Sequence, residues 1–206
     1  MRNIATKACV LAGMVAGFAC SSHADAILTL SDGIHTVSVD TTTGFANYNG
    51  AIGDWSINVT TGIAGGTSTQ PILDLNSIDL YTGSGPGKLI ITWTQNGLGP
   101  LLGTGVNQVG GTLYSGVSGN FQMLLNGTSI SSMDFSSSPF AGSASGDLAG
   151  ASGTLGLQAT LTANASGMIS FDSQATVSSV PDGGTTVALL GFAIVGVEGL
   201  RRRFVR

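Results

Sequence analysis

Through the middle of the chain, apolar and polar positions alternate with a period of two, and the 3.6-residue period of an amphipathic helix is rare. Trp55, Ile57 and Val59 alternate with Ser56, Asn58 and Thr60. Leu89, Ile91 and Trp93 alternate with Ile90, Thr92 and Thr94, and Leu155, Leu157, Ala159 and Leu161 alternate with Gly156, Gln158 and Thr160. Successive strand side chains point to opposite faces, so these spacings predict strands that bury one face. Shorter runs of the same kind predict strands at residues 27–30, 35–39, 45–48, 77–81, 111–117, 121–125, 128–135 and 168–177.

Between the runs stand Asp32-Gly33, Asn49-Gly50, Gly65-Gly66, the glycines of residues 83–87, Asn96-Gly97 and Asn126-Gly127. Asn-Gly and Asp-Gly pairs accept the positive φ of tight hairpins, so each predicts a turn. Residues 96–111 and 136–153, rich in Gly, Ser and Ala, read as long loops. Many short strands with frequent turns predict an all-β fold, an antiparallel β-sandwich of jelly-roll or immunoglobulin-like type. A solenoid would need a fixed repeat, which the sequence lacks.

The two ends follow a different pattern. Arg2 and Lys7 precede an apolar run at residues 8–19 and small residues suited to cleavage near Ala24 or Ala26, so residues 1–26 read as a signal peptide. The Sec translocon and signal peptidase are the expected partners. Both cysteines, Cys9 and Cys20, lie in that segment, so the processed chain would have no cysteine. At the other end, residues 187–197 carry no charge, and Arg201, Arg202 and Arg203 follow. A helix over residues 185–200 would be about 24 Å long at 1.5 Å per residue, a minimal transmembrane helix for a hydrocarbon core of about 30 Å. The three arginines would hold its end on the cytoplasmic side. The expected organisation is therefore a signal peptide at 1–26, an exported β-sandwich domain at 27–179 and a C-terminal sorting segment at 180–206.

Charge sharpens this picture. Only 9% of the 206 residues are charged, with seven Lys or Arg against eleven Asp or Glu, and the formal net charge is −4. Between residues 27 and 180 the only cation is Lys88, against eight aspartates. That body offers no basic face, which excludes nucleic acid as a partner.

The segment Val180-Pro181-Asp182-Gly183-Gly184-Thr185, followed by the apolar run and the arginine cluster, resembles a PEP-CTERM sorting signal of the VPDSG type. The resemblance covers residues 180–206. It implies export, transient inner-membrane anchoring, cleavage near the motif by an exosortase-like membrane protease, and delivery to the cell surface or outside the cell. Such proteins are associated with bacteria that make extracellular polysaccharide, which makes that polymer an expected partner. The motif also has a local logic. Pro181 holds Val180 extended and removes a backbone donor, and Gly183-Gly184 stops helix from spreading upstream.

Candidate chemistry in the body is sparse. His35, three residues after Asp32, is the only histidine of the processed chain, and no Gly-x-Ser-x-Gly elbow occurs. Two suitably spaced carboxylates would serve a glycosidase, but no pair of aspartates stands out from turn positions. Asp74, Asn76 and Asp79 could supply calcium oxygens, although Asp79 stands where an EF-hand loop needs glycine. Trp55, Trp93, Tyr48, Tyr81 and Tyr114 raise a carbohydrate-binding reading. The alternation assigns both indoles to the core and leaves a solvent-facing tyrosine as the better sugar contact. The expectation is a non-enzymatic surface or extracellular-matrix protein with no cofactor and no catalytic or metal site. The alternative is a carbohydrate-binding module, with a glycan hydrolase behind it.

Overall fold

Among the described residues, twelve strands, joined in antiparallel fashion, form two six-stranded sheets packed face to face. The computed structural model describes residues 25–82, 86–114, 116–178 and 190–194. The predicted signal peptide up to residue 24, the sorting motif and the arginine cluster lie outside the described residues. Of the predicted C-terminal membrane helix only residues 190–194 are described, and they are helical. No helix among the described residues is long and apolar enough to cross a membrane.

The first sheet has the order β2-β1-β6-β11-β8-β9. Its strands are β1 (Ala26–Ser31), β2 (Thr36–Thr41), β6 (Gly87–Leu101), β8 (Val117–Leu125), β9 (Thr128–Phe135) and β11 (Ala151–Ala163). The second has the order β10-β7-β12-β5-β4-β3. It is built from β3 (Phe45–Ile52), β4 (Trp55–Gly66), β5 (Pro71–Thr82), β7 (Thr104–Tyr114), β10 (Phe140–Asp147) and β12 (Met168–Ser178). The last eight strands pair as nested hairpins: β8 with β9, β7 with β10, β6 with β11 and β5 with β12. β1-β2 and β3-β4 extend the two sheets at one side, next to β6 and β5.

The alternating positions meet between the sheets. Leu89, Ile91 and Trp93 of β6 and Leu155, Leu157, Ala159 and Leu161 of β11 are buried from the first sheet. Trp55, Ile57, Leu73, Leu75, Ile169, Phe171 and Ala175 face them from the second. Phe121 of β8 meets Phe171 of β12 edge-on across the layer, at 5.0 Å between ring centroids. Both tryptophans belong to this core, and an indole buries enough apolar surface to rank among its largest single contributions.

Four local expectations are corrected. Residues 96–111 are not a loop. They complete β6 and most of β7, with only residues 102–103 between the strands. Asn96-Gly97 is a bulge inside β6, where Gly97 takes φ +68° and the pairing with β11 slips. Residues 136–153 likewise contain β10 and the start of β11. Small side chains at Gly142, Ala144 and Gly146 supply no hydrophobic signal, yet they let β10 lie close to its neighbours. A Cβ on Gly142 would stand 2.8 Å from the Phe135 ring. Asn49-Gly50 is not a hairpin turn either, but sits within β3 where its register with β4 shifts.

The same irregularity moves the inward face of β4 and β5. Ile57 and Thr60 both point inward, as do Ser77 and Leu80, so strict alternation breaks in the middle of each strand. β12 shifts register against β5 at the matching level, between Ile169 and Phe171. Thr60, expected on the solvent side, is thereby buried opposite Ser77, and their hydroxyls bond at 2.6 Å. Burying two hydroxyls is tolerable because each satisfies the other.

Candidate functional site

The β1-β2 hairpin brings Asp32 and His35 together, as their spacing suggested, but in a structural arrangement. Asp32 Oδ1 accepts the backbone N–H of Ile34 at 2.8 Å and of His35 at 2.6 Å, which closes the turn. Asp32 Oδ2 stands 3.0 Å from His35 Nδ1. The hydrogen bond from the imidazole, then those from the two backbone amides, hold the Asp32 carboxyl down at about 2. The adjacent Ser31 hydroxyl donates to the His35 carbonyl and shares a hydrogen bond with Thr36. All three side chains are therefore engaged in shaping a tip whose His35 is largely exposed.

The aromatic candidates separate cleanly. Trp55 and Trp93 are 1% and 0% exposed, which removes both from any sugar site. Tyr48 donates its hydroxyl to the Ala51 carbonyl within the β3 end. Tyr114 is 53% exposed, while the Tyr81 side chain lies outside the described part.

Tyr114 belongs to the outward face of the second sheet, which also presents amides and carboxylates. Alternation along β12 turns Phe171, Ser173 and Ala175 inward and leaves Asp172 and Gln174 outward. In register, Gln174 lies between Gln108 of β7 and Asp74 of β5, and Asp172 lies between Gly110 and Asn76. Gly110 contributes no side chain. A hollow of about 260 Å³ opens there, lined by Gln108, Val109, Gly110, Asp172 and Gln174. A Cβ placed on Gly110 would meet only the Phe140 carbonyl oxygen, at 3.7 Å. The space is outward and free to hold a group.

Two amides and the Asp172 carboxylate therefore line this hollow from two neighbouring strands, β7 and β12, with Asp74 of β5 beside Gln174. Gln174 Nε2 stands 3.5 Å from Asp74 Oδ2, the outer limit of a hydrogen bond. Partial burial, then the negative charge of Asp172, push the Asp74 carboxyl above its ordinary value, and Gln174 opposes them. Such a set offers both donors and acceptors to a ligand rich in hydroxyls.

One side of this face is apolar. Phe45 and Ile63 pair across β3 and β4, and Ile63 pairs in turn with Asp74. Phe45, Ile63 and Ile72 are each about half exposed. The row from Phe45 through Ile63, Asp74, Gln174 and Gln108 to Ser143 crosses all six strands, about 24 Å at roughly 4.8 Å per step.

The first sheet also carries an outward hollow, around Gly156 and lined by Thr92, Thr94, Leu124 and Thr154 among others. Its polar groups are largely tied within the sheet. Thr94 donates to the Ile27 carbonyl, Gln158 to Thr92, and Thr154 to Asn96.

Sequence reasoning missed Gln108 and Gly110 because it placed them in a loop. The signal available was the strand at 168–177, whose period of two already turns Asp172 and Gln174 to solvent. Of the calcium candidates, Asp74 and Asn76 lie on this outward face, and the Asp79 side chain is outside the described part. No group of three or more metal-binding acidic, His or Cys side chains gathers among the described residues. Val180, Pro181, Asp182, Gly183, Gly184, Thr185, Arg201, Arg202 and Arg203 all lie outside them as well. Ser178, the last residue of β12, pairs with Thr104 of β7 at the end of the second sheet.

Residues 179–204 match the family model of the VPDSG-CTERM motif. This segment is a PEP-CTERM-like sorting signal, and it implies export. The match is limited to that segment. No curated protein matches the sequence. Among solved structures, TmCBM61 in complex with beta-1,4-galactotriose overlays at 12% identity and a TM-score of 0.32, covering 60% of this chain and 90% of that one. A structure described as "CBM4 structure and function" overlays at 15% identity and a TM-score of 0.28, covering 62% and 94%. Overlays this loose carry no argument about what this chain binds.

Proposed function

We propose that this protein is a non-enzymatic component of the cell surface or extracellular matrix, released by an exosortase-like membrane protease and associated with extracellular polysaccharide. The observation that carries the reading is the sorting signal at residues 179–204, which follows directly on the last strand of the sandwich. Export would begin at the Sec translocon, with signal peptidase cutting at Ala24 rather than Ala26, because Ala26 is already a buried residue of β1, and the apolar run before Arg201, Arg202 and Arg203 would anchor the chain transiently. The delivered domain is then the whole sandwich up to residue 179. The nested order of its last eight strands supports a jelly-roll rather than an immunoglobulin-like arrangement.

The polymer contact is the outer face of the second sheet. Gln108, Gln174, Asp74, Asn76 and Asp172 offer hydrogen bonds to sugar hydroxyls, Gly110 leaves room for a ring or a branch, and Phe45 and Tyr114 supply apolar surface. Binding spread along a row of this length suits a repeating polymer. The structural role of the Asp32-His35 pair supports the non-enzymatic part of the reading.

The test is co-sedimentation of the exported protein with its host's own exopolysaccharide, compared with Gly110→Leu. The substitution fills the hollow without a backbone clash, so it should leave the melting temperature unchanged and weaken retention by about tenfold or more. Selective binding of one defined glycan would make the protein a carbohydrate-binding module. Absence of retention, or equal retention of Gly110→Leu, would sink the polymer reading, and turnover of the glycan would put a hydrolase in its place.

A further inference from the structure

The described part of the body runs to Ser178, next to the residues that match the sorting motif. Ser178 is still paired with Thr104, and only Ser179 separates it from Val180-Pro181. Three residues span at most about 10 Å at 3.3–3.6 Å per residue, so Pro181 cannot lie farther than that from the last paired residue. A protease that grips the motif meets the folded sandwich at the same time.

The surface it would meet is the end of the sandwich where β12 emerges. The β4-β5 turn closes there through reciprocal backbone bonds between Thr67 and Gln70, and Gly99 of β6 bonds the Ser68 carbonyl. The β6-β7 turn carries Leu102, 62% exposed, and the β10-β11 turn is tied to it through Leu148 N–H to Gly103 O and Gly150 N–H to Leu101 O. A groove of about 470 Å³ runs from the β4-β5 turn to the last residues of β12, lined by Gly66, Thr67, Gln70, Ile72, Thr176 and Ser178 among others. Residues 66–70, 102–103 and 148–150 include no charge, although the body as a whole is strongly acidic. One carboxylate does stand at this level: Asp147, in register with Thr104 beside Ser178, accepts the Ala149 amide at 3.0 Å.

We infer that this sparsely charged end, with Leu102 at its tip and the groove beside β12, is a docking surface for the extracytoplasmic side of the processing protease. The occupant is a neutral, partly apolar protein surface, since a charge facing Leu102 would be desolvated without a partner. The sandwich is then part of the recognised substrate, and the motif alone is cut more slowly. This rests on the sorting reading above.

The test follows cleavage of the full chain by pulse-chase in a host with and without its exosortase. If the parent chain is cut equally in both, the sorting reading itself fails. If cleavage needs the protease, Leu102→Glu and Thr69→Glu should each slow it about tenfold or more while export and melting temperature stay unchanged. Leu102→Arg should slow it too. A flexible Gly-Ser linker of about 10 residues between Ser178 and Ser179 should slow the parent and abolish the effect of Leu102→Glu. Unchanged cleavage in the Glu variants, or faster cleavage with the linker, would overturn the proposal. Slowing by Leu102→Glu with acceleration by Leu102→Arg would assign the contact to anionic lipid headgroups instead and equally overturn it.

Discussion

Trp93 reaches across the sandwich and donates its indole N–H to the carbonyl of Ile63, at 3.0 Å. It can do so because Gly62, the residue before, has no side chain: a Cβ there would stand 2.5 Å from the indole ring. One hydrogen bond and one missing methyl thus join the two layers.

Two variants test that junction. Trp93→Phe keeps an aromatic ring but removes the donor, and should cost about 1–3 kcal/mol through the unsatisfied carbonyl and lost volume. Gly62→Ala forces the indole to move and should cost about 1–3 kcal/mol by overpacking. Denaturant unfolding measures both. Values near zero would mean that the sheets do not meet through these residues.

Asp32 gives a pH signature. Its carboxyl titrates at about 2 in the fold against 3.8 ordinarily, so the unfolded chain binds more protons between those values. The stabilisation is fully present above pH 3.8 and is lost as pH falls through about 2. Asp32→Asn should therefore lower the melting temperature at pH 7 and make no difference at the acid end. His35→Ala should raise the Asp32 value in an NMR titration, because the imidazole hydrogen bond is the largest cause of the shift.

Asp74 should behave in the opposite sense. Burial and Asp172 raise its carboxyl, so the folded chain holds its proton more tightly and stability falls as pH rises above 3.8. Asp74→Asn should stabilise the protein at pH 7 relative to the parent, with the gain vanishing at pH 3. Melting temperatures at the two pH values decide it, and a loss at pH 7 would show the carboxylate to be favourably partnered.

How far the sequence led depends on what each residue contributes to a pattern. Leu89, Ile91, Trp93, Leu155, Leu157 and Leu161 are large and regularly spaced, and they are buried as their alternation predicted. β10 escaped notice because packing a strand with Gly142, Ala144 and Gly146 facing inward leaves no apolar signal, and Pro139 just before it reads as a breaker. Asn96-Gly97 and Asn49-Gly50 misled for a related reason: positive φ serves a bulge as well as a hairpin turn. The motif chemistry of residues 180–185 was legible without any fold, whereas the hollow at Gly110 was not. It depends on which residues β7 and β12 bring into register, and single-strand patterns do not encode that pairing.

The most direct test is the C-terminus of the protein recovered outside its host. Intact mass should show a chain ending near Val180-Pro181-Asp182-Gly183-Gly184-Thr185, without the apolar run and without Arg201, Arg202 and Arg203. In a host lacking the exosortase the full tail should remain and the protein should stay with the membrane fraction. Released protein that still ends at Arg206, or identical release in both hosts, would contradict the account.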